Sequence, residues 1–209
     1  MGHEKRLMKI ALCVWACALS PVLAQEPPAA GVARYTIDAA HSTIAWELPA
    51  TLHTVHGAVP DFSGSVELET GPQGEHAARG RVSVRAGNMR TGNDSRDKTM
   101  REKVLEVDRF PEIVFELDRA EIDWSRLSGD RPVEATVAGR LTVHGKTLPL
   151  EVPVTVEPSS EAVTLSGSFP LRWKSGYGLY DPSFALVTVR EPLKVTFRLR
   201  AVASPPSEK

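Results

Sequence analysis

The sequence predicts an all-β fold of about eight antiparallel strands with one short helix. Apolar and polar residues alternate without a break through 133–143 and again through 147–156. The same alternation recurs in six other stretches, whereas 94–107 carries its apolar residues at helical spacing. Many alternating strands joined by short turns are typical of a closed antiparallel barrel or a sandwich.

The two longest alternating stretches predict an antiparallel hairpin with His144-Gly145-Lys146 at its turn. Successive side chains of a strand point to opposite faces, so each stretch buries one face. The residues on the two buried faces are Val133, Ala135, Val137, Gly139, Leu141, Val143, Leu148, Leu150, Val152, Val154 and Val156. Pro149 and Pro153 lack a backbone N–H. We therefore expect the second strand to lie at a barrel rim, at an edge or at a bulge.

The six other alternating stretches supply the remaining strands. Their apolar positions are Ile44, Trp46 and Leu48; Val66 and Leu68; Val82, Val84 and Ala86; Ile113, Phe115 and Leu117; Val163, Leu165, Gly167, Phe169 and Leu171; and Leu193, Val195, Phe197, Leu199 and Ala201. Charged residues fall on the opposite faces. A catalytic centre inside the barrel would need acids, bases or nucleophiles at inner positions. The pattern therefore predicts a protein that is not an enzyme.

The predicted strand number sets the size of the interior. An eight-stranded barrel is about large enough either to fill itself with side chains or to hold one small ligand. Gly139 and Gly167 fall at inner positions. Either their missing side chains leave room for a ligand, or large neighbours fill the space. Patterning alone favours neither alternative.

The segment 94–107 predicts a helix of about three turns that lies across a barrel end. Its apolar residues, which include Met100 and Val104, recur at helical spacing. Asn93 or Asp94 precedes them and is suited to cap the helix N-terminus. We expect the apolar stripe to face the barrel interior.

The N-terminus has the charged, apolar and small-residue order of a secretory signal peptide, which we place at residues 1–24. Its apolar run, 10–19, is too short to span a membrane, which takes about 20 residues. The signal predicts a periplasmic or secreted protein. Residues 25–33 are predicted to be a flexible leader, 34–203 the barrel domain and 204–209 a flexible tail.

The composition excludes several classes of function. Both cysteines, Cys13 and Cys17, lie within the predicted signal peptide, so the mature chain has no thiol for a disulfide, a nucleophile or a metal ligand. The chain has 26 acidic and 25 basic residues. One acidic and three basic residues fall within 1–24, so the mature chain keeps 25 acidic and 22 basic residues. This balance does not indicate a nucleic-acid partner. The sequence has no Gly-rich phosphate loop, Ser nucleophile elbow or metal-protease motif, and we predict no cofactor.

Three groupings of polar residues have two interpretations each. His53 and His56 have the H-x-x-H spacing of a metal site, but they follow a strand, so we expect them on opposite faces and predict no metal. Residues 94–97 (Asp-Ser-Arg-Asp) either bind an anionic headgroup or cap the helix and form a local salt bridge. Residues 173–178 combine aromatics, a cation and glycines, and they either grip a ligand or form an ordinary loop.

Several segments, in order, resemble the YceI-like family of lipid-binding proteins. They are Tyr35-Thr-Ile-Asp-Ala-Ala-His41-Ser-Thr-Ile-Ala-Trp46, Thr54-Val-His-Gly57, Asp61-Phe-Ser-Gly64, Thr91-Gly-Asn-Asp94-Ser-Arg-Asp97-Lys-Thr-Met100, Arg109-Phe-Pro-Glu-Ile-Val-Phe115 and Gly139-Arg-Leu-Thr-Val-His144-Gly145. The resemblance covers about 35–202, and it departs from the common family pattern at 49–53 and 173–181. It implies an eight-stranded, lipocalin-like barrel with an elongated apolar cavity, usually in the periplasm.

The resemblance also implies that the partner is a long-chain apolar lipid, such as a polyisoprenoid or an isoprenoid-quinone-like molecule, with no stable membrane insertion. We expect the cavity wall and its rim to include Trp46, Leu48, Val66, Leu68, Val82, Val84, Phe115, Val137, Leu141, Phe169, Trp173, Val195 and Phe197, with Met100 and Val104 as the lid. The alternative function is a structural or interaction module that has a filled barrel and binds a protein partner through its loops.

Overall fold

The computed structural model describes residues 31–129, 131–183 and 187–204. The predicted signal peptide and the tail beyond Ser204 lie outside these ranges. The strands are β1 (Gly31–Ile37), β2 (Thr43–Pro49), β3 (Thr54–Ala58), β4 (Phe62–Thr70), β5 (His76–Arg85), β6 (Glu112–Ile122), β7 (Val133–Val143), β8 (Lys146–Pro158), β9 (Ala162–Leu171) and β10 (Leu193–Ala203). β1 therefore begins at Gly31, three residues before the predicted domain boundary.

The strands form a closed antiparallel barrel, as the sequence predicts. Their order is β1-β4-β5-β6-β7-β8-β9-β10, and pairing of β1 with β10 closes the ring of eight. β2 and β3 form a hairpin that continues the sheet from β10. A 3-10 turn at Ala39–His41 separates β1 from β2, and each pairs with a different part of β10. β1 and β2 therefore act as one bent strand along the barrel wall.

The β7–β8 hairpin is confirmed, and its loop consists of two residues. His144 and Gly145 have φ angles of 51° and 73°. Positive φ at both central residues is the type I′ conformation, whose twist matches that of the flanking strands, and glycine adopts it without a steric penalty. Pairing then runs from Val143↔Lys146 to Val133↔Val156. This register turns the predicted apolar face of both strands inward.

Strand β8 is an edge over part of its length. Its pairing with β7 runs past Pro149 and Pro153 without a break, but its pairing with β9 covers only Val154–Pro158. Alternate residues of an antiparallel strand direct their N–H groups to opposite neighbours. We therefore infer that both prolines lack the donor that would face β9. The predicted edge is confirmed for the half of β8 before Val154.

The two inner glycines make room for phenylalanine rings. A Cβ at Gly139 would lie 2.9 Å from Cζ of Phe115, and a Cβ at Gly167 would lie 2.9 Å from Cζ of Phe197. Neither glycine lines the barrel cavity. The space beside both glycines is therefore filled by large neighbouring side chains and is not left open for a ligand.

The predicted helix is present but has two parts. α1 (Asp94–Thr99) continues directly into a π-helical turn at Met100–Val104. Asn93 is the N-cap, because its side-chain oxygen accepts a hydrogen bond from the N–H of Arg96. The helical segment ends three residues before the predicted boundary at 107.

Two clusters of apolar side chains divide the interior. One cluster, centred on Val137, Val152, Val154 and Val156, fills the barrel end where β7 begins and β8 ends. We call this the closed end. The other cluster lies toward the opposite end and includes Met100 and Leu105 from the helical segment. We call that end the mouth, and the helical segment lies across it.

Candidate functional site

The interior contains an apolar cavity of about 340 Å³ between the closed end and the mouth. This volume falls at the lower end of the range of about 300–1,000 Å³ that is typical of ligand pockets. Val137 and Val152 contribute to its floor, and Met100 and Leu105 contribute to its cover. Nearly all other lining residues are also aliphatic or aromatic. The cavity therefore provides an environment for a hydrocarbon chain.

The predicted wall residues lie around this cavity, with one exception. Those that line it are Trp46, Leu48, Val66, Val82, Val84, Met100, Val104, Phe115, Val137, Leu141, Phe169, Trp173, Val195 and Phe197. Leu68 does not line it. This residue lies on β4 two positions beyond Val66 toward the closed end, where it pairs with Ala78 of β5. The cavity ends above that level, so Leu68 does not contribute to its lining.

The Trp46 side chain forms its part of the wall because the facing residue is a glycine. The indole packs over Gly57 of β3, where a Cβ would lie 2.0 Å from Cε2 of the ring. Trp46 is 7% exposed. Any larger residue at position 57 would push the ring into the cavity.

A loop between β9 and β10 covers the mouth beside the unpaired half of β8. Trp173 and Leu179 from this loop are buried and line the cavity. Tyr177 is also buried, and burial raises its pKa to about 12. Its hydroxyl therefore stays protonated and donates a hydrogen bond to the backbone oxygen of Leu141 at 3.2 Å. We call residues 172–182 the mouth loop.

Ionic contacts fix the shape of the mouth loop. Nζ of Lys174 lies 2.5 Å from Oδ2 of Asp181. Hydrogen bonds from Lys174 and from Ser183 hold the pKa of Asp181 at about 2. The carboxylate of Glu191 accepts hydrogen bonds from the N–H groups of Lys174 and Ser175. The loop is therefore an ordered cover, and its Trp173 belongs to the cavity wall.

A family model for the YceI-like domain matches residues 35–201. The chain belongs to the YceI-like family. This match covers nearly the whole barrel, from Tyr35 of β1 to Ala201 of β10. No sequence among the curated proteins matches the chain.

Solved structures show the same fold as this YceI-like chain. BcnA of Burkholderia cenocepacia is 19% identical with a TM-score of 0.64, covering 79% of this chain and 99% of BcnA. A polyisoprenoid-binding domain of Saccharophagus degradans, implicated in plant cell wall breakdown, is 16% identical and has a TM-score of 0.60. The match covers 81% of this chain and 98% of that domain. The YceI protein of Campylobacter jejuni is 12% identical and has a TM-score of 0.53. The match covers 74% of this chain and 88% of that protein.

The sequence pointed to residues 94–97 as a polar group beside the barrel end, but not to Thr91 or Thr99 at the mouth of this YceI-like barrel. Thr91, Arg96 and Thr99 line the cavity. Asp97 is buried, and its Oδ1 accepts hydrogen bonds from the N–H of Thr91 at 2.9 Å and from its hydroxyl at 2.5 Å. The predicted cap is present at Asn93, but the partner of Asp97 is Thr91 and not a basic residue. The expected local salt bridge is therefore wrong.

Apolar wall residues outside the eight predicted strands were also missed. They are Ile37, Val55, Val59, Met89, Leu179, Pro182 and Val189. Most lie in loops, where no periodic pattern marks the inward side. Val55 and Gly57 alternate on β3, but five residues are too few for a clear signal.

The two histidines of the H-x-x-H spacing lie at the surface. His53 is exposed between β2 and β3, and His56 is exposed with its Nδ1 3.7 Å from Glu47. No group of three or more potential metal ligands occurs among the residues that the structure describes. In the same ranges, no helix has the length and apolar character needed to cross a bilayer.

A partly buried hydrogen bond between Glu106 and His144 connects the residues after the helical segment to the β7–β8 turn. Nε2 of His144 lies 2.5 Å from Oε2 of Glu106, and Arg109 donates to the same carboxylate at 3.2 Å. The ring of His144 also packs on Phe110, with 4.2 Å between centroids. The hydrogen bond from His144, followed by the one from Arg109, holds the pKa of Glu106 below its ordinary value of 4.5.

We expect this pair to make stability depend on pH in the acid range. A carboxylate with a lowered pKa in the folded state stabilises that state above pH 4.5, and the contribution is lost as the pH falls through the folded-state pKa. Glu106→Gln should therefore lower the urea midpoint at pH 7, and its difference from the wild type should shrink below about pH 4.5. Glu102→Gln, at an exposed position nearby, serves as the control. A difference that is constant from pH 7 to pH 3 would contradict this assignment.

Proposed function

We propose that this YceI-like protein sequesters or carries a polyisoprenoid or an isoprenoid-quinone-like amphiphile in its barrel cavity, as a non-enzymatic protein of the periplasm or the secreted fraction. The apolar cavity with a closed floor is the observation that supports this proposal most directly. A chain that enters at the mouth is enclosed by the wall and covered by Met100, Leu105 and the mouth loop. The proposed contacts are fourteen of the fifteen predicted wall and lid residues, all except Leu68.

Apolar burial supplies the main driving force for such binding. Each buried methylene contributes about 0.8 kcal/mol, so ten contribute about 8 kcal/mol, from which the cost of association is subtracted. The affinity therefore rises with the number of buried carbons, by about fourfold for each additional methylene. Apolar burial is not directional, so the wall selects for length and girth rather than for a functional group.

The comparisons support the same class of ligand. The domain from Saccharophagus degradans is described as polyisoprenoid-binding, and it shares the barrel over 81% of this chain. The alternative, a barrel filled by side chains, requires an interior without space for a ligand. A cavity of about 340 Å³ favours the carrier over this alternative.

Native mass spectrometry of the protein isolated from the secretory compartment of its own host tests the proposal. We expect a complex whose excess mass extracts into organic solvent as a long apolar molecule. An apo mass that persists after incubation with isoprenoid quinones, prenols and fatty acids would instead support the interaction module.

A further inference from the structure

We propose that Arg96 forms a headgroup site at the mouth of the cavity for an amphiphile with an anionic oxygen group, a phosphate or a carboxylate. The inference rests on the proposed function, because it assigns the polar end of the ligand whose tail occupies the barrel. Arg96 is partly buried and lines the cavity. Its guanidinium therefore places a permanent positive charge at the mouth, while the surface of the cavity itself is almost entirely apolar.

Arg96 differs from the other arginine at the cavity. Arg81 lies on β5 between the inward positions Gly80 and Val82, and its guanidinium points outward to Glu116 at 3.3 Å. Among the described residues, Arg81 forms salt bridges with Glu112 and Glu116, whereas Arg96 forms none. Arg96 therefore has no direct carboxylate partner, and the carboxylate of Asp97 reaches it only through the Thr91 hydroxyl.

The guanidinium of Arg96 is held in place without a ligand. Its Nε donates to the hydroxyl of Thr91 at 2.8 Å, and its Nη2 donates to the backbone oxygen of Thr91 at 3.0 Å. Thr91 is fixed in turn by the buried carboxylate of Asp97. This arrangement orients the arginine in advance, so binding need not order a long side chain.

The remaining donors of Arg96 suit an anionic acceptor. A guanidinium has five N–H groups, and the two contacts with Thr91 use two of them. Within the described part of the chain, Nη1 has no hydrogen-bond partner. Arginine presents its donors as a planar fork that matches two oxygens of a phosphate or a carboxylate. The Thr99 hydroxyl donates to the backbone oxygen of Ser95, so it offers only lone pairs.

Ligands that differ in headgroup test this assignment, and two of them, farnesyl phosphate and farnesol, share the same tail. Dissociation constants are measured for farnesyl phosphate, farnesol and palmitate. The wild type should bind farnesyl phosphate about ten- to hundredfold more tightly than farnesol, as expected for charge-assisted hydrogen bonds. Arg96→Gln should abolish this preference, and urea unfolding checks that the variant is folded. Palmitate shows whether a carboxylate is accepted as well as a phosphate.

Two further variants separate the site from general charge effects. Lys103→Gln removes one positive charge at an exposed position of the same helical segment, and it should keep the full preference. Arg96→Lys keeps the charge but loses the planar fork of donors. Its preference for farnesyl phosphate over farnesol should therefore lie between those of the wild type and Arg96→Gln. Equal binding of farnesol and farnesyl phosphate by the wild type, or an unchanged preference in Arg96→Gln, would overturn the headgroup site while leaving the carrier function standing. Failure of all three ligands to bind the wild type would overturn both proposals.

Discussion

Replacing Leu141 with Trp should reduce the affinity for a long apolar ligand by about a hundredfold or more. Leu141 is 7% exposed and faces the cavity from the mouth half of β7. The indole would occupy space that the chain of the ligand needs. Losing the burial of four methylenes costs about 3 kcal/mol, which is more than a hundredfold in the dissociation constant. Val137→Trp, which lies nearer the floor, should reduce the maximum length of the ligand chain that the cavity can hold.

Thr142→Trp is the matched control, since Thr142 lies next to Leu141 on the outer face of the same strand. It should leave the affinity unchanged. Isothermal titration with farnesol measures binding, and urea unfolding checks that the variants are folded. Equal affinities for the wild type and a folded Leu141→Trp variant would show that the ligand does not occupy this cavity.

Gly139→Ala should lower the free energy of unfolding by about 3 kcal/mol or more. A Cβ at this position would lie 2.0 Å from the backbone oxygen of Glu116 on β6, and the ring of Phe115 occupies the adjacent space. The clash is with backbone, so a change of side-chain rotamer cannot relieve it. The paired strands β6 and β7 would have to separate at this level.

Gly87→Ala provides the same substitution without the clash. The nearest atom to a Cβ at Gly87 is Cγ2 of Val107, at 4.0 Å. Gly87→Ala should change the free energy of unfolding by less than about 1 kcal/mol. A slight increase in stability is expected, because alanine lowers the conformational entropy of the unfolded chain. Urea midpoints of the two variants, measured with equal m-values, provide the comparison. Similar stabilities would contradict the assigned strand contact.

The strands and their inward faces were predictable because burial imposes a period of two on the sequence. The long run from Val133 to Val156 shows this most clearly, and the two residues of its turn are the only break. The pattern does not say whether an inward position borders empty space. Gly139 and Gly167 were equally compatible with a ligand and with neighbours, and the neighbours turned out to be phenylalanine rings.

The polar part of the site could not be predicted by periodicity. Arg96 and Asp97 are adjacent, and their charges suggest a local salt bridge. The fold instead places Thr91 between them, with its hydroxyl accepting from one and donating to the other. That arrangement depends on how the segment before the helix turns at the barrel mouth. A non-periodic contact of this kind leaves no signal in the alternation of apolar and polar residues.

The incomplete pairing of β8 with β9 leaves one side of the barrel mouth without backbone hydrogen bonds between neighbouring strands. Around most of the circumference, any increase in girth would break backbone hydrogen bonds. Between the first half of β8 and the end of β9, separation disturbs only side chains and the mouth loop, which is attached there through Lys146 and Tyr177. We therefore expect ligands bound as proposed to be able to differ in width on this side of the mouth.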